Sequence, residues 1–554
     1  MQGQKLIGRV AAIEKAPATM DKFTFWTSPD LRLHAFDIVK VEHLDGSYTF
    51  GAVEQISHIT DAQSFLTGYI SSDFGDPHAQ TPTLRVSMNY AEASVSFNTK
   101  NIYTPVHNDA PVYLASHEEI AQALGLDRVR NPVVCGSLTM YGGTSDEVTL
   151  PVKMNADFML GPEGAHLNIS GISGLAAKTS YAMFLMKAIQ ERQHDDSSTA
   201  FVIFNVKGRD LMAIDKPNDS LTDSERERYR ALGLSGKPFK NVKYYIPYYQ
   251  QRQSTYLPAD DVDSYTACGQ LLKFKYCYDS DRESLDMLFA GVDDPTQSME
   301  AVISKILDPQ DSDFSEISTW GSFLEKVDEM SQTSKASGRS PGEITVQSWR
   351  KFKRIVSKAL KNDDMFANRV APGQHECRLA DELMNLHADD VCVIDLAKLP
   401  EDKQAFVFGD ALKAIYSLKL GEYDGRPDVN PPSRIIVFID ELNKYASRDA
   451  PKDSPVLRKI LDVTERGRSL GVIMFGAEQF RSAIHNRVTG NCAVHAYGRT
   501  NAIEAAGKEY AHFAGTYRSI LARLEQGEYL IHSPVFRTLL RINFPKPVYR
   551  QFND

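Results

Sequence analysis

A doubly wound α/β core, preceded by a small β-barrel and interrupted by a helical insertion, is the architecture expected of this chain on three grounds. Beyond residue 150, short continuous apolar runs alternate with helix-period stretches, as parallel strands buried on both faces require. Before residue 100 the runs are short, aromatic or β-branched, and punctuated by turns, as in a small barrel. Between 207 and 390 the interval is too long for one strand-to-strand crossover and shows helical periodicity instead. At domain sizes of roughly 100–200 residues, the 554-residue chain holds three or four folding units. The expected division is a barrel at 1–110, a linker region at 111–150, the first part of the α/β core at 151–206, the insertion at 207–390, and the second part of the core with C-terminal strands and tail at 391–554.

The barrel strands are expected at 23–26, 35–42, 48–53 and 84–87, with Asp45-Gly46-Ser47 as a turn. Phe23, Phe25 and Trp26 either fill the barrel or anchor a partner on it. A proline-bearing stretch at 103–111 and a short helix at 117–124 then lead to the boundary. Core strands follow at 167–170, 200–206, 391–396, 435–440, 471–476 and 493–497. Within the insertion, Met299, Val302, Ile303, Ile306 and Leu307 step by three or four along one helix face, and Trp349, Phe352, Ile355, Val356, Ala359 and Leu360 do the same. These faces form a packing core of their own, and the Ser/Gly/Lys-rich stretch 331–342 is a loop between two such helices.

Composition narrows the function. With 62 basic and 72 acidic residues, a net charge of -10, 42% apolar and 24% charged residues, the chain is an ordinary globular one and neither disordered, collagenous nor a disulfide scaffold. No apolar run approaches the ~18–20 residues of a membrane helix, and the opening Met-Gln-Gly-Gln-Lys lacks a signal-peptide core, so a cytoplasmic protein is expected. The six cysteines form no CxxC pair and are expected to be reduced thiols. His375, Glu376 and Cys377 lack a second ligand pair and read as surface residues. An acidic balance disfavours a general nucleic-acid coat, so any DNA contact is local.

The densest chemistry lies at 168–180, Asn-Ile-Ser-Gly-Ile-Ser-Gly-Leu-Ala-Ala-Lys-Thr-Ser. A strand, a small-residue loop, Lys-Thr and a helix is the order a nucleotide phosphate site needs. The backbone of Gly171, Ser173, Gly174, Leu175, Ala176 and Ala177 would cradle the anion, Lys178 would meet the outer phosphates, Thr179 would bind Mg²⁺, and Ser180 would complete the nucleotide-binding set. Ala177 stands where the usual motif has glycine, and the spacing from Gly171 is one residue long, so an ordinary strand-to-helix turn stays open. A second motif, Ile435 through Ile439 followed by Asp440 and Glu441, favours the phosphate loop: an apolar strand ends in one acid for the Mg²⁺ shell and one for the attacking water. A third, Glu465-Arg466-Gly467-Arg468, puts two arginines before a buried strand, either solvated or aimed at a neighbour's γ-phosphate. Gln479 at that strand's far end is a candidate sensor of γ-phosphate or water, with Arg499 a weaker candidate.

The series of barrel, loop 171–180, strand 435–441, arginine pair and Gln479 resembles the HerA branch of the HerA/FtsK ring ATPases over nearly the whole chain. The resemblance implies a homohexameric, RecA-like, DNA-translocating ATPase using ATP and Mg²⁺, with double-stranded DNA in a central channel and an effector docked on the barrel. It makes Lys178 and Thr179 the phosphate and Mg²⁺ ligands, Asp440 and Glu441 the Walker B pair, and Arg466 or Arg468 the finger acting in trans. The chain departs from the family at Ala177 and at Ala165-His166, where a basic residue often precedes the histidine. Its Gly-Leu-Ala-Ala-Lys-Thr-Ser loop looks most like the HerA-type ATPases of bacterial anti-phage systems, which act beside a nuclease or an NAD-consuming, sirtuin-like enzyme. Two other classes stand beside this one: an ATP-binding ring that scaffolds and regulates an effector with little translocation, and a non-ring nucleotide-binding enzyme such as a kinase-like transferase.

Overall fold

The computed structural model describes residues 5–78, 86–172, 174, 177–192, 198–332, 344–422 and 430–552. The chain divides into two units, Met1–Asn155 with Tyr497–Phe544, and Ala156–Ala496 with Pro545–Asp554. Strands are numbered in chain order.

In the first unit β1 (Leu6–Val10), β2 (Lys22–Thr27), β3 (Ile38–Glu42), β4 (Tyr48–Thr60), β5 (Ser87–Asn98) and β6 (Pro111–Leu114) close into a barrel in the order β1-β2-β5-β4-β3-β6. Every pairing in it is antiparallel. Alternation along β2 decides what faces inward: Phe23 and Phe25 are buried, whereas Trp26 keeps 41% of its surface. Gly51 on β4 leaves the space the Phe23 ring occupies, since a Cβ there would come within 2.7 Å of Cε1. Phe23 and Phe25 are therefore barrel core and not partner anchors. The exposed apolar groups lie elsewhere. β4 continues past its last β3 partner, Ala52, and stays paired with β5 as far as Thr60 and Ser87. Beyond it the helix Phe65–Ser71 leaves Phe65, Leu66, Tyr69 and Ile70 exposed, with Phe74 following. Residues 84 and 85 of the expected strand 84–87 lie outside the described residues.

Residues 111–150, expected as a linker, hold β6, the helix His117–Leu124, β7 (Pro132–Met140) and the start of β8 (Val148–Asn155). Pro111 obscured β6 in the sequence, yet it stands at the strand's first position, where a missing N–H costs least. The chain from 497 to 544, expected with the α/β core, folds with the N-terminal unit instead: β18 (Glu528–His532) and β19 (Leu540–Asn543) join β7 and β8 in the order β18-β19-β7-β8. Tyr141 ties this hairpin to the barrel. Its hydroxyl donates to the Ile38 carbonyl at 2.6 Å and accepts from the Ala115 amide at 3.0 Å.

The second unit is the doubly wound core. Its strands β9 (Leu167–Ser170), β10 (Thr199–Asn205), β11 (Val242–Pro247), β12 (Leu271–Lys275), β13 (Glu376–Arg378), β14 (Val391–Asp395), β15 (Arg434–Ile439), β16 (Val472–Glu478) and β17 (Val494–Tyr497) run in the order β13-β12-β11-β14-β10-β15-β16-β9-β17. The pairings from β13 to β9 are parallel. Every residue of β9, β10, β14 and β16 is buried, which is why β10, β14 and β16 read as largely continuous apolar runs, whereas β9 buries Asn168 and Ser170 as well. The expected insertion at 207–390 is narrower than the sequence implied, because β11, β12 and β13 within it extend the sheet. Lysines in β11 and β12 had hidden them by breaking the apolar run. The helical part includes Ser298–Leu307, Trp320–Met330 and Val346–Leu360, with Phe314 stacked on Trp349 at 5.7 Å and Phe289 on Phe352 at 5.2 Å; their apolar faces are buried as the periodicity predicts, but they join the core of the sheet and do not form one of their own. Of the expected loop 331–342, residues 333–342 lie outside the described residues. No helix among the described residues is long and apolar enough to cross a membrane.

His166 leads into β9 with a positive φ of 69°, and its Nδ1 accepts from the Met474 amide at 2.9 Å, fixing β9 beside β16. Burial pushes the imidazole down to about 4; the Thr464 backbone opposes the fall and the Arg468 charge adds to it. A group depressed in the fold contributes stability above its unfolded pKa, near 6.5, and that contribution is lost as pH falls toward its folded pKa. Unfolding titrations should therefore show the wild type losing about 3 kcal/mol relative to His166→Asn between roughly pH 6.5 and 4. Parallel pH profiles for the two proteins would show that His166 is not held neutral.

Candidate functional site

Three parallel strands end side by side, and the middle one is β16: its Glu478 lies opposite Ser170 of β9, and its Gly476 opposite Ile439 of β15. At a spacing of about 4.8 Å per strand, the loop after β9 and the acids after β15 face each other across about 10 Å. The helix Lys178–Gln190 closes that gap. At its first turn the Thr179 hydroxyl donates to Asp440 Oδ2 at 2.9 Å, and Lys178 Nζ donates to the Gly171 carbonyl at 3.0 Å. The helix has no side-chain N-cap, because Ala177 precedes it, so the amide donors of its first turn are directed at the loop. Gly171 and Gly174 have φ of 151° and 80°, values that glycine alone adopts readily. Ser173, Leu175 and Ala176 lie outside the described residues.

Ala177 explains the departure from the usual motif. It takes φ 49° and ψ 42°, the left-handed conformation that a glycine would supply without strain. Across the cleft Glu441 is also left-handed, at φ 55°, directly after Asp440, whose Oδ1 accepts the Glu441 amide at 2.9 Å. Leu442 pins this turn: it is fully buried against Gly476, where a Cβ would come within 2.6 Å of Leu442 Cδ2. Strained backbone held by its surroundings is characteristic of working sites.

The electrostatics follow from burial. Lys178 is buried, and desolvation pushes its ammonium below the usual lysine range, opposed by Asp440, Glu478 and Glu441 in that order. Asp440 is pushed up by burial, against the Thr179 hydroxyl, the Lys178 charge and the Glu441 amide. A hydroxyl and a carboxylate in contact are hard oxygen donors of the kind Mg²⁺ takes, and the pair fits such an ion. Ser180 meets Tyr549, a buried residue of the C-terminal segment.

Sequence reasoning placed its sensor at Gln479, which is half-buried, but the fully buried group at the end of β16 is its neighbour Glu478. A carboxylate inside the apolar run Val472–Glu478 was the available signal. Asn168 Nδ2 donates to its Oε2 at 3.1 Å, and Arg481 Nη1 donates to Asn168 Oδ1 at 2.6 Å. The arginine pair is not brought to this cluster. Arg466 and Arg468 are exposed at the end of the helix Pro455–Leu470, ahead of β16, so the strand separates them from their own loop by roughly 20 Å. Arg468 Nη1 donates there to the Glu163 carbonyl at 3.1 Å. Arg499 belongs to the first unit. Of the three residues considered as metal ligands, Glu376 is a buried strand residue paired with Lys275 at 2.6 Å, and Cys377 is buried beside it. All six cysteines are free.

No family model and no curated protein matches the chain. Solved structures do. The bacterial conjugative coupling protein TrwB shares 10% identity over 73% of this chain and 90% of its own, at a TM-score of 0.42. VirB4 of Thermoanaerobacter pseudethanolicus shares 12% over 75% and 96%, at 0.40. The genome packaging NTPase B204 of Sulfolobus turreted icosahedral virus 2 shares 14% over 30% and 71%, at 0.22. Likeness at this level fixes neither activity nor assembly.

Because Ala177 holds a conformation that costs an L-residue about 1 kcal/mol, Ala177→Gly should raise the unfolding free energy by up to about that amount in denaturant titrations. A variant less stable than the wild type would place Ala177 outside the left-handed region.

Proposed function

We propose that this chain is an ATP hydrolase of the HerA/FtsK ring type, working as a DNA translocase beside a separate effector, in the manner of an anti-phage system. The observation that carries the hydrolase reading is the contact between Thr179 and Asp440, which joins the loop helix to the acid pair across an interposed strand. In this reading the loop amides and Lys178 bind the triphosphate, Thr179 and Asp440 hold Mg²⁺, and Glu441 accepts the proton of the attacking water. Mg²⁺, when bound, supplies neutralising charge at the phosphate oxygens. The position of Arg466 and Arg468, remote from their own loop and exposed, supports a role in trans at a neighbour's nucleotide, as a homohexameric ring requires. Double-stranded DNA is the proposed occupant of the ring's channel. The strain at Ala177 favours a second reading, a ring that binds ATP but turns over slowly and mainly scaffolds its effector.

Turnover assays test this. Lys178→Ala should abolish nucleotide binding or hydrolysis, whereas Glu441→Gln should bind ATP and lose at least about 100-fold in rate. Mixing an Arg466→Ala or Arg468→Ala protein with Lys178→Ala protein should recover part of the activity. Unchanged turnover in Lys178→Ala would mean the loop is an ordinary turn, and ATPase activity indifferent to double-stranded DNA, with no DNA affinity at low salt, would leave the scaffold reading.

The barrel is the proposed dock for a nuclease or sirtuin-like effector, and the exposed Phe65, Leu66, Tyr69 and Ile70 are suited to anchor it. Phe65→Ser with Tyr69→Ser should strip the effector from the purified protein and leave ATP turnover intact. An effector that still co-purifies would exclude this helix as its principal anchor.

A further inference from the structure

Strand β16 ends on a carboxylate that the proposed hydrolysis leaves without a role. Glu478 is fully buried at the end of a strand whose other residues are apolar. Burying a carboxylate is costly unless its charge is met, so its surroundings identify what it meets. Its partners come from the loop strand. Asn168 Nδ2 donates to Glu478 Oε2 at 3.1 Å, and the Gly171 amide donates to the Glu478 carbonyl at 3.1 Å. The carbonyl of that same Gly171 accepts Lys178 Nζ at 3.0 Å. Gly171 is thus clasped between Glu478 and Lys178, and the Glu478 field favours the charged form of the lysine, as does that of Asp440. Behind this pair Arg481 Nη1 holds the other end of the Asn168 amide at 2.6 Å and lies 3.0 Å from His495 Nδ1, which keeps Asn168 turned toward Glu478.

We propose that Glu478 is a positioning residue that sets nucleotide affinity: its buried negative charge holds Lys178 against the loop strand, so that the outer phosphates of a nucleotide compete with it for the lysine. This rests on the phosphate-site reading and adds a sign to it. Loss of a merely structural buried contact weakens binding. Loss of a competing negative charge strengthens it, because the phosphates then meet Lys178 without repulsion from the carboxylate at the end of the strand beside the loop strand.

The test is a titration of the full-length protein with a fluorescent ADP analogue in Mg²⁺ buffer, with ADP and ATP as competitors, alongside steady-state turnover. Glu478→Gln keeps the shape and an acceptor for Asn168 while removing the charge. It should bind ADP and ATP about tenfold tighter, with the KM for ATP falling by a similar factor and no rise in kcat. Glu478→Asp keeps the charge and should stay within about threefold of wild type. If the Gln variant does not fold, Glu478→Met, neutral and suited to an apolar strand, reads the same sign. Unchanged or weaker nucleotide binding in a folded neutral variant overturns the proposal. A wild-type protein that binds no nucleotide in the same titration overturns the phosphate-site reading itself, and the two failures are told apart by that wild-type arm.

Discussion

The hydrogen bond from the Thr179 hydroxyl to Asp440 spans 261 residues of sequence, and the geometry of the site depends on it. It is made across β16, which lies between the loop strand and the acid strand. The long sequence between the two motifs is spent on β10 to β14 and the helical insertion, which build out the sheet on the far side of β15. His166 contributes to the same registration from the other end, where its Nδ1 takes the Met474 amide and sets β9 beside β16.

A second constraint is charge in a dry place. Lys178 opens the loop helix, and Asp440 and Glu478 stand at the ends of apolar strands; all three are largely withdrawn from water, and none could be buried alone at acceptable cost. Together they offset one another, and hydrogen bonds from Thr179, Asn168 and the Glu441 amide add to that. The left-handed Ala177 and Glu441 flank this cluster, one on each side of the cleft. Strain of that kind survives because Leu442 and the first turn of the loop helix are fixed by packing.

Much of this was legible in the sequence where the physics is local. Continuous apolar runs marked β10, β14, β15 and β16, and periodicity marked the helices around Met299 and Trp349. Lys178, Thr179 and Asp440 stood out in the sequence by residue type and spacing, and the structure brings Thr179 and Asp440 into contact beside Lys178. What the sequence hid depends on long-range pairing. β6 is four residues beginning with proline, β11 and β12 carry lysines, and the 497–544 segment joins β7 through a contact no local pattern announces. The inward aim of Phe23 and Phe25 required knowing the barrel's register. Glu478 was missed because its neighbour Gln479 fitted a familiar role, while only the register of β16 against β9 shows which of the two is buried.

The most direct test of the account is a structure of the full-length protein with a non-hydrolysable ATP analogue and Mg²⁺. The account predicts the triphosphate over the turn between Gly171 and Lys178, with Lys178 Nζ moved from the Gly171 carbonyl to the outer phosphates and both Thr179 and Asp440 at the metal. Nucleotide bound elsewhere, with Lys178 still on Gly171 and Thr179 still on Asp440, would contradict it.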